Sequence, residues 1–289
     1  MLYRWNTITE NINLALIKLK DLISRNLPFC RNKRGRKPKQ KAEDYISLLV
    51  LKEFDEASLR KAEVRLSKFI IGERVDHSVI AYWERKPEVT KFISEIIKIA
   101  GAILSELVAP LFAFVDATKF TSWHINEFEV TVCNRIAVGT VYPVGISFQT
   151  KTVRDPVNEA VPKGSRLLYA DAWYDDNKAI GVLFDKGYIP VICPNKNRWR
   201  GAYRKRARKI YNQPVHRRGY KQRGRGESLF GSLTNKYGDR FNARNDEVMK
   251  TRIASRILSY QLRLFLRVIK KIYELLDTLR ITFYHAFSS

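Results

Sequence analysis

Leu111-Phe112-Ala113-Phe114-Val115 is a continuous apolar run that directly follows Pro110 and is stopped by Asp116. A strand without polar alternation is buried on both faces, and that demands a sheet covered by helices on each side. Residues 128–141 and 144–150, rich in β-branched and aromatic side chains and separated at Tyr142-Pro143, complete a predicted antiparallel meander of three strands. A turn-rich stretch, 154–165, leads to a fourth strand at 167–170. A helix at 177–186, ended by Gly187, leads to a fifth strand at 188–193, stopped by Pro194. A meander followed by strand–helix alternation describes an α/β fold: a mixed five-stranded sheet flanked by helices.

The flanking regions are helical. Tyr45, Leu48, Leu49 and Lys52 share one helical stripe within 44–54. Ser58 stands as an N-cap before Leu59, Ala62, Val64 and Leu66, Gly72 breaks the chain, and Ser78 precedes a short helix carrying Tyr82, Trp83 and Arg85, with Lys86 just beyond. Two short helices about a glycine turn suit a helix-turn-helix, and equally a plain three-helix bundle. Upstream, Arg34-Gly35-Arg36-Lys37-Pro38 resembles an AT-hook, in which glycine lets extended backbone lie deep in a narrow minor groove between arginines; a generic basic linker is the plainer reading. At the other end, Ile253, Ile257, Tyr260, Leu264, Val268, Ile272 and Leu275 form a sustained apolar stripe. It is expected to pack a long helix on the sheet, with a dimer seam as the second reading.

The net charge is +24 with a pI near 10, and it is not spread evenly. Residues 31–41 hold seven basic side chains and 187–226 hold thirteen, with no acid in either, so these two tracts account for twenty of the excess. Clustered cations gain affinity for a polyanion by releasing its condensed counterions; a solvated face serving solubility is the bland alternative. No apolar run reaches the roughly 18 residues of a membrane span; the best, 99–115, is broken by Glu106 and Pro110. With no charged-then-apolar leader either, a cytoplasmic, nucleoid-associated protein is expected. Cys30, Cys133 and Cys193 are too scattered for a disulfide framework or a cysteine zinc ribbon, and His77, His124, His216 and His285 share no ligand spacing.

Two acids occupy the same place relative to their strands: Asp116 after Val115, and Asp171 after Ala170. An ionised carboxylate at the end of a buried strand is disfavoured unless compensated, and a divalent cation shared by two such acids is one compensation. Glu227 ends the acid-free stretch and opens a helix striped by Phe230, Leu233 and Tyr237, so its carboxylate is expected to point toward the sheet. Taken singly, each acid is also an ordinary strand cap or first-turn helix acid.

Tyr220, Arg223 and Glu227, spaced as Tyr-x2-Arg-x3-Glu, together with Asp116-Ala117-Thr118 and Asp171-Ala172-Trp173-Tyr174-Asp175, resemble the DDE transposases of bacterial and archaeal insertion sequences. The lysine that ends the family's glutamate signature is replaced by Thr234, with Lys236 nearby, and Asp175 and Asp176 stand as alternatives to Asp171. The resemblance covers roughly 110–240. It implies a ribonuclease-H-like catalytic region at 110–289 behind a helical DNA-binding region at 1–95. It further implies that Asp116, Asp171 and Glu227 hold two Mg²⁺ (or Mn²⁺) ions for hydrolytic nicking and strand transfer. Double-stranded DNA would be the partner, at element ends and target, with a homodimer on DNA as a further expectation. Tyr220 and Arg223 would touch phosphate, Arg225, Arg204 and Arg206 would track the backbone with the rest of 196–225, and Arg34 and Arg36 would act in end recognition. A non-catalytic regulator or domesticated relative, or a structure-selective nuclease on the same fold, is the alternative.

Overall fold

The computed structural model describes residues 17, 19–21 and 39–287 apart from 126, 138–139, 149–151 and 165, with side chains described as far as 271. Arg34, Arg36 and the rest of the AT-hook-like segment lie outside the described residues, as do the side chains of Ile272 and Leu275.

The helical part begins with α1 (Ala42–Phe54), which is buried along its whole second half. Ser58 Oγ accepts the Lys61 amide at 3.2 Å and starts α2 (Leu59–Lys61), which runs through a π turn (Ala62–Leu66) into α3 (Ser67–Ile71). Gly72 at φ +87° ends α3, the left-handed stop that glycine makes without strain. The connection to the next helix spans 72–76. Asp76 caps α4 (His77–Glu84), and Pro87 opens α5 (Pro87–Val108).

The sheet follows. β1 (Phe112–Ser122), β2 (Phe128–Ala137) and β3 (Thr140–Ser147) form the antiparallel meander. β4 (Leu167–Ala170) and β5 (Ile189–Ile192) run parallel to β1, giving the order β3-β2-β1-β4-β5. α6 (Arg154–Ala160) precedes β4, and α7 (Asn177–Asp185) connects it to β5. This is the mixed, helix-flanked, ribonuclease-H-like arrangement expected. A sixth, two-residue strand, β6 (Arg240–Phe241), adds a parallel pairing at the far end of β1.

Two expectations change. β1 does not stop at Val115 but continues to Ser122, so Asp116 lies inside it. The break between the second and third strands falls before Thr140, and Tyr142-Pro143 sit within β3. Pro143 is tolerated because β3 is an edge of the five-strand path; Pro190 in β5 occupies the opposite edge.

Side-chain alternation on β1 divides the core. Ala113 and Val115 enter the large core, while Phe112 and Phe114 enter a small second one with Tyr169 and Val191. The second face is covered by the basic tract, folded as α8 (Ala202–Tyr211), α9 (Pro214–Gly219), a 3-10 turn (Tyr220–Arg223) and α10 (Gly224–Tyr237).

The C-terminal helix α11 (Asp246–Phe287) packs chiefly on α5 and α1 and meets the sheet at β3 and, through Arg256 over the Phe241 ring, at β6. Buried Gln261 fixes this junction, its amide donating to Ile97 O at 2.9 Å and Pro143 O at 2.8 Å. Among the described residues no helix is long and apolar enough to cross a membrane.

Candidate active site

The parallel register of β1 and β4 pairs Phe114 with Tyr169 and Val115 with Ala170. One step further, Asp116 stands beside Asp171 on strands about 4.8 Å apart. Alternation puts Asp116 on the face of Phe112 and Phe114, and Asp171 on the face of Tyr169, so both carboxylates emerge under α10. Asp171 Oδ1 accepts the Trp173 amide at 2.9 Å and caps the 3-10 turn Ala172–Tyr174, and Asp116 Oδ1 accepts the Ala117 amide at 3.0 Å.

α10 approaches this face closely. A Cβ at Gly226 would come within 2.1 Å of the Phe114 ring, so glycine sets how near Glu227 comes to β1. The buried stripe of α10 is Gly226, Leu229 and Leu233, which shares only Leu233 with the stripe the sequence pattern suggested. Glu227 therefore sits on the shoulder of the helix with an exposed carboxylate and does not point into the sheet. Arg223 supplies the link. Its Nη2 lies 3.1 Å from Glu227 Oε1, and its Nη1 lies 3.9 Å from Asp171 Oδ2.

The electrostatics of Asp116 register the whole group. Burial pushes its carboxyl up to about 6; the Ala117 amide and Arg223 pull it down, and Asp171 and Glu227 push it up again. Three carboxylates face a single guanidinium, so the cluster carries a formal excess of two negative charges when fully ionised. An all-oxygen donor set with that deficit has the chemistry of a hard divalent-cation site, but the oxygens of the three acids do not all lie within 4.8 Å of one another, and Arg223 already places positive charge between two of them.

Other predicted residues are accounted for differently. Tyr220 is engaged within the fold: its hydroxyl donates to Ala170 O at 3.2 Å, and its ring lies edge-on to Tyr169 and Tyr211. Burial pushes its phenol up to about 12. Arg204 is buried, with Nε 2.9 Å from Asp175 Oδ1, so it holds the loop instead of offering a charge to solvent. Asp175 is buried in that pair and also accepts the Asn195 amide, while Asp176 caps α7. Of the three candidate aspartates, Asp171 is the one that reaches Arg223. Arg206 is exposed and lies over the Phe184 ring, and Arg225 is exposed beside Gln222. Thr234 bonds back to Phe230 O, and Lys236 pairs with Glu56 at 3.1 Å, away from the acids.

Ten of the thirteen cations of 187–226 are exposed. Elsewhere, Glu63, Asp76 and His77 bring ligand atoms within 4.8 Å of one another, a grouping with the capacity to hold a divalent ion. It lies in the helical part, where Arg74 pairs with Glu63 and Asp76 caps α4. The cross-link through Arg223 and the inward turn of Arg204 carried no sequence signal beyond the spacing of Arg223 and Glu227 at i, i+4.

A model of the family described as Transposase DDE domain matches residues 147–262. That stretch contains Asp171, Arg223 and Glu227, and Asp116 lies upstream of it. The chain is also similar to an uncharacterised protein of Aquifex aeolicus (strain VF5), 27% identical over 288 residues, covering 89% of this chain and 88% of that protein.

Proposed function

We propose that the chain is a DNA transposase that cuts and rejoins insertion-sequence ends by metal-dependent phosphodiester chemistry at Asp116, Asp171 and Glu227. The observation that carries this reading is Arg223 spanning Asp171 and Glu227 beside half-buried Asp116. Asp171, Arg223 and Glu227 lie within a stretch similar to a transposase DDE domain, next to a surface of exposed cations.

The three acids would hold Mg²⁺ or Mn²⁺, which when bound supplies an activated water or 3′-hydroxyl and stabilises the departing oxygen. Arg223, once the carboxylates are neutralised from elsewhere, is placed to hold a phosphate of the strand being cut. Tyr220 acts at one remove, tying the turn that carries Arg223 to the last residue of β4, and is a positioning residue. Arg225, Arg206 and the other exposed cations of the tract would follow the backbone without reading sequence. Residues 1–95, including Arg34 and Arg36, would recognise the element ends, and 110–289 would form the catalytic region. Joining two ends makes a homodimer on DNA the expected working form.

Glu227→Gln is the direct test. The variant should bind an end-containing duplex as wild type does and lose Mg²⁺-dependent cleavage; retained cleavage would sink the assignment.

A further inference from the structure

Between the N-terminal helices and the start of α11 lies a cavity of about 640 Å³, in the range of sites that accept a nucleotide-sized group. Its walls carry Lys52, Arg60, Arg85, Arg244 and Arg252 against one acid, Glu84, a formal excess of four positive charges with His77 neutral. The floor is already committed: Lys52 lies 3.0 Å from Glu84 and 2.6 Å from Glu53, and Arg252 lies 3.0 Å from Glu53. The rim is not. Arg60, Arg85 and Arg244 are exposed, and among the described residues none of them pairs with a carboxylate. Uncompensated cations around a concavity with low-dielectric walls focus a positive potential into it. The amide side chains of Asn242 and Asn245 add neutral hydrogen-bonding groups at the same mouth.

The chain path connects this cavity to the acids. Asn242 and Arg244 directly follow β6, which pairs with the last residues of β1 at Thr121 and Ser122. Asp116 and Ser122 are six residues apart on β1, about 20 Å at the strand rise. A nucleic-acid strand covers that span in about six nucleotides. Continuity along β1 favours a strand that already occupies the acid site over an unrelated small anion.

We infer that this cavity is a second nucleic-acid contact, in which Arg60, Arg85 and Arg244 hold backbone phosphate of the bound DNA about six nucleotides from the bond to be cut. The inference rests on the proposed DNA substrate and concerns a different surface from the acids and the 187–226 tract; Arg60 and Arg85 belong to the 1–95 region, whose contact it narrows to backbone phosphate beside Arg244.

The test uses the full chain and a fluorescein-labelled 30-base-pair duplex, with anisotropy titrations across a KCl series. Removing all three charges (Arg60→Ala, Arg85→Ala, Arg244→Ala) should weaken binding at least tenfold and lower the log–log salt slope by about one to three, since each phosphate contact contributes about 0.9. Arg→Lys at the same positions should retain most of the slope. Lys163→Ala, Lys178→Ala and Lys271→Ala together, an equal loss of exposed charge outside the cavity, residues 1–95 and the 187–226 tract, should lose less than the arginine set. Circular dichroism melting checks that the variants are folded. Slope and affinity equal to those of the lysine control would overturn the inference while leaving the DNA substrate intact. Failure of wild type to bind any duplex would overturn the functional reading and this inference with it. ATP binding by wild type that is lost in the alanine set, with duplex binding unchanged, would assign the cavity to a free nucleotide and overturn the DNA assignment.

Discussion

The molecule contains two clusters of charge that differ in how they balance. In the helical part, Glu53 and Glu84 meet Lys52, Arg252 and Arg256, three cations for two acids, with both acids and Lys52 nearly sealed from solvent. This network ties α1, α4 and α11 together. Under α10, by contrast, Asp116, Asp171 and Glu227 share Arg223 alone among the described cations, three acids for one cation, at a surface open to solvent. The closed network compensates its acids from within the chain. The open one leaves a deficit that solvent, a proton on Asp116 or a bound cation can meet. Burial of charge by itself does not mark a site; buried or half-buried charge left uncompensated does.

Exchanging one acid for its amide in each cluster separates the two roles. Asp116→Asn should reduce metal-dependent cleavage by about a thousandfold, corresponding to about 4 kcal/mol of lost transition-state stabilisation. Thermal stability without metal should hold or rise, because a desolvated carboxylate has been removed. Glu53→Gln should do the reverse. It leaves buried Lys52 and the partly buried Arg252 and Arg256 short of a counter-charge and should lower the unfolding free energy by about 3 kcal/mol, read by urea denaturation, with activity falling only as the fold is lost. If Asp116→Asn unfolds the protein, or Glu53→Gln leaves its stability unchanged, the distinction fails.

The pH dependence should differ in sign between the clusters. Burial works to raise the Glu53 carboxyl, but Lys52, Arg252 and Arg256 outweigh it and hold the group well below its usual 4.5. Its stabilising contribution is therefore full above pH 4.5 and lost as the pH falls below that value. Asp116 is raised from 3.8 to about 6. Without metal, the folded protein binds a proton there between those values that the unfolded chain does not, so stability rises as the pH falls from 6 toward 4. Melting temperatures from pH 7 to 3 should show the rise first and the loss afterwards. Asp116→Asn should abolish the rise, and Glu53→Gln should flatten the loss.

Much of this arrangement was legible in the sequence, and the remainder was not for identifiable reasons. The apolar runs ending at Asp116 and Asp171 located two adjacent strands, because an uninterrupted apolar segment next to an acid has few places in a sheet. The end of β1 was misjudged because its outer half, from Ala117 to Ser122, is polar and pairs with only β2 and the short β6. The orientation of Glu227 was misjudged because Phe230 and Tyr237 suggested a stripe, whereas Gly226, which has no side chain to count as apolar, marks the true contact with Phe114. Arg204 and Arg223 sit in the same basic tract, and only tertiary packing separates one that is buried on Asp175 from one that reaches the acids. The network around Glu53 was invisible, since its partners on α11 are about two hundred positions away.

The smallest expected effect concerns the link that holds the open cluster in shape. Tyr220 bonds to Ala170 O, the carbonyl immediately before Asp171, while Arg223, three residues on, reaches the Asp171 carboxylate. Tyr220→Phe keeps the ring packing on Tyr169 and Tyr211 and removes only the hydroxyl. Stability should fall by about 1 kcal/mol, the net worth of one hydrogen bond. If the hydroxyl positions the turn, cleavage by the variant should fall severalfold with duplex affinity unchanged, whereas a direct phosphate contact would weaken duplex binding severalfold, with the salt slope unchanged because a neutral hydroxyl displaces no counterion. Duplex affinity, set beside the cleavage rate, therefore decides whether the tyrosine of this motif belongs to the scaffold of the open cluster or to its DNA-facing surface.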